Sequence, residues 1–153
     1  MIRIVLVQPE IPHNTGAIGR LCAGLDAALH LIRPLGFHLT DRWIKRAGLD
    51  YWQHLDLTIH DDWDAFLTAQ QPARLCFAST RGKQSLYDCR FTPDDWLVFG
   101  NESSGLPEPF YTRYRDSLFR IPMPGAHARS LNLANAVAVC AYEAWRQESD
   151  RRL

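Results

Sequence analysis

Two stretches in the last third of the chain combine residue types suited to holding a small molecule. The first is Trp96-Leu97-Val98-Phe99-Gly100-Asn101-Glu102-Ser103-Ser104-Gly105-Leu106-Pro107. The second runs Arg120-Ile121-Pro122-Met123, a short loop with Gly125, then Arg129-Ser130-Leu131-Asn132-Leu133-Ala134-Asn135-Ala136-Val137. Each reads as a buried strand ending in a polar, glycine-bearing loop that opens a helix. In open α/β sheets ligands collect in such loops, outside the carboxyl ends of the strands. The common nucleotide and hydrolase signatures are absent. Gly16-Ala17-Ile18-Gly19 lacks the G-x-G-x-x-G spacing, Gly82-Lys83 lacks the Ser or Thr and the upstream glycine of a P-loop, and no G-x-S-x-G elbow occurs.

The elements that must position these loops alternate. Ile2 to Val7 is a β-branched apolar run, read as a buried strand. Pro9, Pro12, Asn14 and Gly16 then read as turn chemistry, and Ile18, Leu21, Cys22 and Leu25 mark one face of a helix. Ala28 to Ile32 is a second strand, and Thr40 or Asp41 caps a short helix ending at Gly48. Leu57 to Ile59 is a strand, Asp61 caps a helix to about Ala69, and Leu75 to Ser79, Trp96 to Phe99 and Leu118 to Ile121 are further strands. The last helix, Leu133 to about Gln147, is apolar almost all round through Tyr142, so the core or a second subunit must cover it on more than one side. The polar tail from Gln147 is expected to fray. Such alternation predicts an α/β fold, a mostly parallel sheet with helices on both faces.

Composition bounds the function. At 153 residues, one domain over 1–153 is expected. Seventeen Lys and Arg balance seventeen Asp and Glu, so any nucleic-acid contact requires cations gathered on one face rather than a general basic surface. The four cysteines, Cys22, Cys76, Cys89 and Cys140, form no C-x-x-C pair and no zinc spacing. They predict reduced thiols and a cytoplasmic protein without metal. No apolar run approaches the ~18–20 residues of a membrane span.

Three loops resemble a known family. Asn14-Thr15-Gly16 with Arg20, then Phe99-Gly100-Asn101-Glu102 with Gly105-Leu106-Pro107, then Ile121-Pro122-Met123 with Ser130-Leu131-Asn132-Leu133, match in order and spacing the three motifs of SpoU-type methyltransferases of the SPOUT superfamily. Arg46-Ala47-Gly48-Leu49-Asp50-Tyr51 and Ala141-Tyr142-Glu143-Ala144-Trp145-Arg146 are similar to its short branch, which methylates the ribose 2′-oxygen of the tRNA wobble nucleotide. The resemblance implies a C-terminal trefoil knot, a homodimer, S-adenosylmethionine as methyl donor and the tRNA anticodon stem-loop as partner. It assigns the donor pocket to Ala78, Ser79, Thr80, Gly100, Glu102, Gly105, Ile121, Met123, Ser130, Leu131 and Asn132. It also makes Arg20 the leading catalytic residue, with Asn14, Glu102, Ser130 and Asn132 around it. Asn101 departs from the Pro often found in the short branch, and the loop Pro124 to Ala128 is one residue longer than its commonest form.

The residue types suit that chemistry. Glycines at 100 and 105 allow close backbone approach to a ligand and positive φ. Ile121, Met123 and Leu131 can sandwich an adenine. Methyl transfer from a sulfonium needs in-line positioning and removal of the acceptor proton, not a metal. A guanidinium rarely deprotonates, so Arg20 is either the base or a fork that holds phosphate and orients the ribose. Asn132 also suits a helix cap, and Tyr142 and Trp145 suit core or dimer contacts better than catalysis. Trp52 and Tyr51 are read as packing residues before base-stacking ones. Cations available to tRNA are Arg42, Lys45, Arg46, Arg81, Lys83, Arg90, Arg113, Arg115 and Arg129. Two other classes remain open at this point: ribose methylation at a different tRNA or rRNA site, and an RNA-binding module without turnover.

Overall fold

The computed structural model describes residues 1–40, 42, 46 and 49–151. Seven strands form one sheet whose paired neighbours are all parallel. They are β1 (Arg3–Val7), β2 (Ala28–Ile32), β3 (Leu57–His60), β4 (Arg74–Ala78), β5 (Gln84–Ser85), β6 (Asp95–Phe99) and β7 (Leu118–Arg120), in the spatial order β3-β2-β1-β6-β4-β7-β5. Among the described residues, α-helices include α1 (Pro12–Leu25), α2 (Trp63–Gln70), α3 (Glu108–Arg113) and α4 (Leu133–Asp150). Successive strand side chains point to opposite faces, so β1 feeds two cores. Ile4 and Leu6 pack with Ile18 and Cys22 of α1 and Val137, Cys140 and Ala141 of α4. Val5 and Val7 pack on the other face with Trp63 and Phe66 of α2 and Phe110 of α3. Helices therefore cover both faces, as the alternation predicted.

Local differences have physical causes. Pro12, Asn14 and Gly16 do not interrupt the chain but lie inside α1, because a proline at the first helical position loses no hydrogen bond. Asp62, not Asp61, caps α2, accepting from Ala65 N–H at 2.7 Å. The expected helix between Thr40 and Gly48 falls largely outside the described residues. Helix α4 does not fray at Gln147 but runs to Asp150. Arg146 bridges Glu143 and Asp150 at 2.9 and 2.7 Å, and buried Gln147 accepts from Phe91 N–H and donates to the Cys89 carbonyl, both at 3.0 Å. Short elements escaped the sequence. Strand β5 has two residues, below any periodicity, and α3 is a single short helix after Pro107.

All four cysteines are free and buried, and burial pushes Cys22, Cys76 and Cys140 up to about 12. They are core residues, not thiolate nucleophiles.

Beneath α2 two buried histidines meet, His30 Nδ1 standing 2.9 Å from His60 Nε2 within a box made with Phe66 and Trp96. Burial, then the neighbouring His60, hold His30 down at about 4, below its ordinary 6.5. Asp56 opposes that shift and Arg3 adds to it. Burial lowers His60 as well. The stabilisation tied to a neutral His30 is thus full above pH 6.5 and is lost as pH falls toward 4, since the unfolded chain takes up a proton that the folded chain refuses. In urea unfolding, His30 should contribute up to about 1.4 kcal/mol per pH unit to the fall in stability in that window. His30→Phe should flatten the slope; an unchanged slope would exclude His30 as its source.

Candidate active site

A cavity of about 600 Å³ opens at the carboxyl ends of β4, β6 and β7, between the amino ends of α1 and α4. That volume lies within the range of small-molecule sites. Ala78, Ser79 and Thr80 line it from the end of β4, Gly100, Glu102 and Gly105 from the loop after β6, Ile121 and Met123 from the segment after β7, and Ser130, Leu131 and Asn132 from the approach to α4. Every residue assigned to the donor pocket from the sequence is therefore in one place. Apolar side chains of Phe99, Leu106, Ile121, Met123, Leu131 and Leu133 face a polar edge of Ser79, Thr80 and Asn101. That mixture suits a nucleoside carrying an amino-acid tail: the apolar groups can enclose a base while the polar edge takes ribose and tail.

The loop after β6 is closed by its own backbone. Asn101 N–H donates to the Gly105 carbonyl at 3.0 Å and Gly105 N–H to the Asn101 carbonyl at 3.2 Å. Gly105 has φ 71°, a left-handed conformation that favours glycine. A Cβ on Gly100 would lie 2.1 Å from the Gly105 carbonyl carbon. Gly100 therefore packs against the loop's own backbone while also lining the cavity. The Asn101 side chain accepts from Ser104 N–H at 2.8 Å and Ser104 Oγ at 2.9 Å. Where the short branch often has a rigid proline, this loop is held by an asparagine turn.

Glu102 turns away from the loop toward α1. Its carboxylate accepts from Glu10 N–H at 2.8 Å, Ile11 N–H at 3.0 Å and Asn14 Nδ2 at 3.4 Å. The N-cap of α1, Ile11, has no capping side chain, so Glu102 satisfies amides at that helix start and complements its dipole. Asn14, 5% exposed, accepts in turn from Asn132 Nδ2 at 3.0 Å. Asn132 also caps α4, accepting from Asn135 N–H at 3.3 Å. The relay Glu102–Asn14–Asn132 joins the three motif loops. With both carboxylate oxygens facing N–H donors, Glu102 is a positioning group before it is a proton acceptor.

Arg20 is not among the residues lining this cavity. It stands exposed on α1 with its guanidinium carbon 5.3 Å from the centre of the Tyr51 ring. Six residues beyond Asn14, it lies about 9 Å along the helix and about 120° round it. Trp52 packs on α1, where a Cβ on Gly19 would meet its ring at 2.9 Å. Sequence reasoning missed Ile11, Tyr111 and the clasp in which Ser103 Oγ donates to the Glu10 carboxylate at 2.7 Å. The prolines 107 and 109 flanking Glu108 were a usable signal for α3, which carries Tyr111. Among the described residues no group of three or more His, Cys, Asp or Glu is arranged to hold a metal ion.

Comparison with known proteins agrees with this geometry. The tRNA (cytidine(34)-2′-O)-methyltransferase of Burkholderia ambifaria is 50% identical over 151 residues, 96% of each chain. A solved structure bearing on 2-OH methylation of C/U34 on tRNA superposes with TM-score 0.91 at 54% identity, covering 96% of this chain and 95% of that one. The SpoU methyltransferase AviRb from Streptomyces viridochromogenes, in complex with AdoMet, superposes with TM-score 0.83 at 27% identity, over 96% of this chain and 57% of its own. The SpoU rRNA Methylase family model matches residues 1–142. With the three motif loops joined by hydrogen bonds around one cavity, and relatives half identical along nearly its whole length, this chain belongs to the SpoU methylase family.

Proposed function

We propose that the protein is a single-domain methyltransferase that methylates the ribose 2′-oxygen of the wobble nucleotide, position 34, in the tRNA anticodon stem-loop, using S-adenosylmethionine and no metal. The observation that carries this reading is the one cavity that gathers the donor residues of all the motif loops, together with relatives of that activity at 50% identity. Bound S-adenosylmethionine would supply an electrophilic methyl group on sulfur. Ile121, Met123 and Leu131 would enclose its adenine. Asn14 and Asn132, oriented by Glu102, would hold the acceptor face of the cavity. Held there, the ribose 2′-oxygen would take the methyl carbon as its bond to sulfur broke, and the hydroxyl proton would pass to water.

A homodimer completes the site in this reading. Val139, Tyr142 and Trp145 of α4 are 37%, 52% and 46% exposed, and Ile11 and Leu131 are exposed beside the cavity. Burying such side chains contributes roughly 1.5–3 kcal/mol each, and two-fold pairing counts each contact twice. We assign to the partner copy the Arg20 that reaches the 2′-hydroxyl, since the chain's own Arg20 lies off its cavity. The trefoil knot is supported by β7 lying between β4 and β5, although it follows both in sequence, with Gly82 of their connection against Phe119. A cytoplasmic location fits the free buried cysteines.

The test is tritium transfer from S-adenosylmethionine to tRNA in the presence of chelator, with the modified position mapped. Label at the 2′-oxygen of nucleotide 34 is expected. Transfer to another tRNA position or to rRNA alone would replace the substrate, and loss of transfer with chelator would end the metal-free reading.

A further inference from the structure

We propose that Arg129 holds a backbone phosphate of the RNA at the mouth of the cavity, and so sets the register in which the target ribose meets the methyl donor. The inference rests on the tRNA reading above. Two arginines line the cavity, Arg81 and Arg129. Arg81 is occupied: its guanidinium makes a two-pronged pair with Glu108 at 3.1 and 3.2 Å and lies 3.6 Å above the Tyr111 ring. That hydrogen bond to Glu108 raises the Arg81 pKa further. Its fork is thus filled and its charge balanced by Glu108 of α3. Arg129 is exposed and has no ion pair or hydrogen bond to any described residue. Its backbone is nevertheless anchored, because Asn132, three residues on, is fixed to Asn14 at 3.0 Å and caps α4.

A chain with seventeen cations and seventeen anions has no general attraction for RNA. An arginine without a carboxylate partner, projecting from a pinned segment at the cavity, is where a phosphate gains most. The donor's carboxylate is the competing anion. Exposure at the open side of the cavity, where the polymer must pass, favours phosphate.

The experiment measures equilibrium binding of a synthetic tRNA anticodon stem-loop by fluorescence anisotropy at several salt concentrations, for wild type, Arg129→Ala and Arg129→Lys. Calorimetry with S-adenosylmethionine is run beside it. Arg129→Ala should weaken RNA binding roughly ten- to hundredfold. It should flatten the slope of log affinity against log salt by about 0.7–0.9, leaving donor affinity unchanged. Arg129→Lys should restore the slope but only part of the affinity, since a point charge replaces a fork. An unchanged slope in Arg129→Ala, or a loss of donor affinity, overturns the proposal. The slope is read from binding alone, so it remains decisive even if methyl transfer to position 34 is not found.

Discussion

Gly100→Ala is expected to lower the affinity for S-adenosylmethionine by more than about a hundredfold, roughly 3 kcal/mol. The added methyl would sit 2.1 Å from the Gly105 carbonyl carbon and 2.3 Å from Leu106 N. Both are backbone atoms, so no rotamer change relieves the clash. The two hydrogen bonds between Asn101 and Gly105 must then break, and with them goes the loop that presents Glu102, Ser103 and Ser104 to the cavity. Gly125→Ala is the matched control: a Cβ there meets nothing within 4 Å, so donor affinity should stay at the wild-type value. Calorimetry reads the affinities, and circular dichroism separates a distorted loop from an unfolded chain. Binding by folded Gly100→Ala within roughly threefold of wild type would mean that this loop does not form the donor site.

Arg20→Ala is expected to remove most methyl transfer while leaving donor affinity close to wild type, because the residue lies outside the cavity of its own chain and its proposed role is toward bound RNA. Complementation tests where it acts. Neither Arg20→Ala nor Gly100→Ala should be active alone. In a mixed dimer, the intact cavity of the first would face the intact Arg20 of the second, giving one working site. Random mixing in equal amounts should restore up to about a quarter of wild-type turnover. No recovery, with mixed dimers demonstrated by co-purification of differently tagged chains, would place Arg20 in the service of its own chain. Arg20→Lys should stay impaired, since an ammonium does not reproduce the planar fork.

Much of the frame was legible because it is written in short-range pattern. Val5 and Leu97 sit in continuous apolar runs of the kind that strands buried on both faces require, and the glycines at 100 and 105 mark where such a run must stop. The residues that line the cavity were legible through three ordered motifs. What escaped is what depends on partners far along the chain. Nothing local to Glu102 says that its carboxylate reaches back 92 positions to the Glu10 amide. Nothing near Arg81 says that Glu108 fills its fork. Helix α3 is too short to express a period, and β5 forms only because β7 offers it an edge. His30 read as one more residue of a strand, and its meeting with His60 follows from the pairing of β2 with β3.

The hydrogen bond from Asn132 to Asn14 spans 118 positions, which has a bearing on how the chain is made. A ribosome delivers Asn14 well before Asn132, so until Asn132 emerges the amide oxygen of Asn14 waits for its donor. Contacts of such separation are the last to repay the entropy of closing the chain. The α1 end and the loop after β6 can meet earlier, through Glu102, but the cavity has no complete wall until α4 has been capped. Ligand that binds only the finished fold stabilises only finished chains. Methyl-donor binding thereby distinguishes chains whose cavity is closed by α4 from those in which it is not, and donor concentration becomes a factor in how long a newly made copy survives proteolysis.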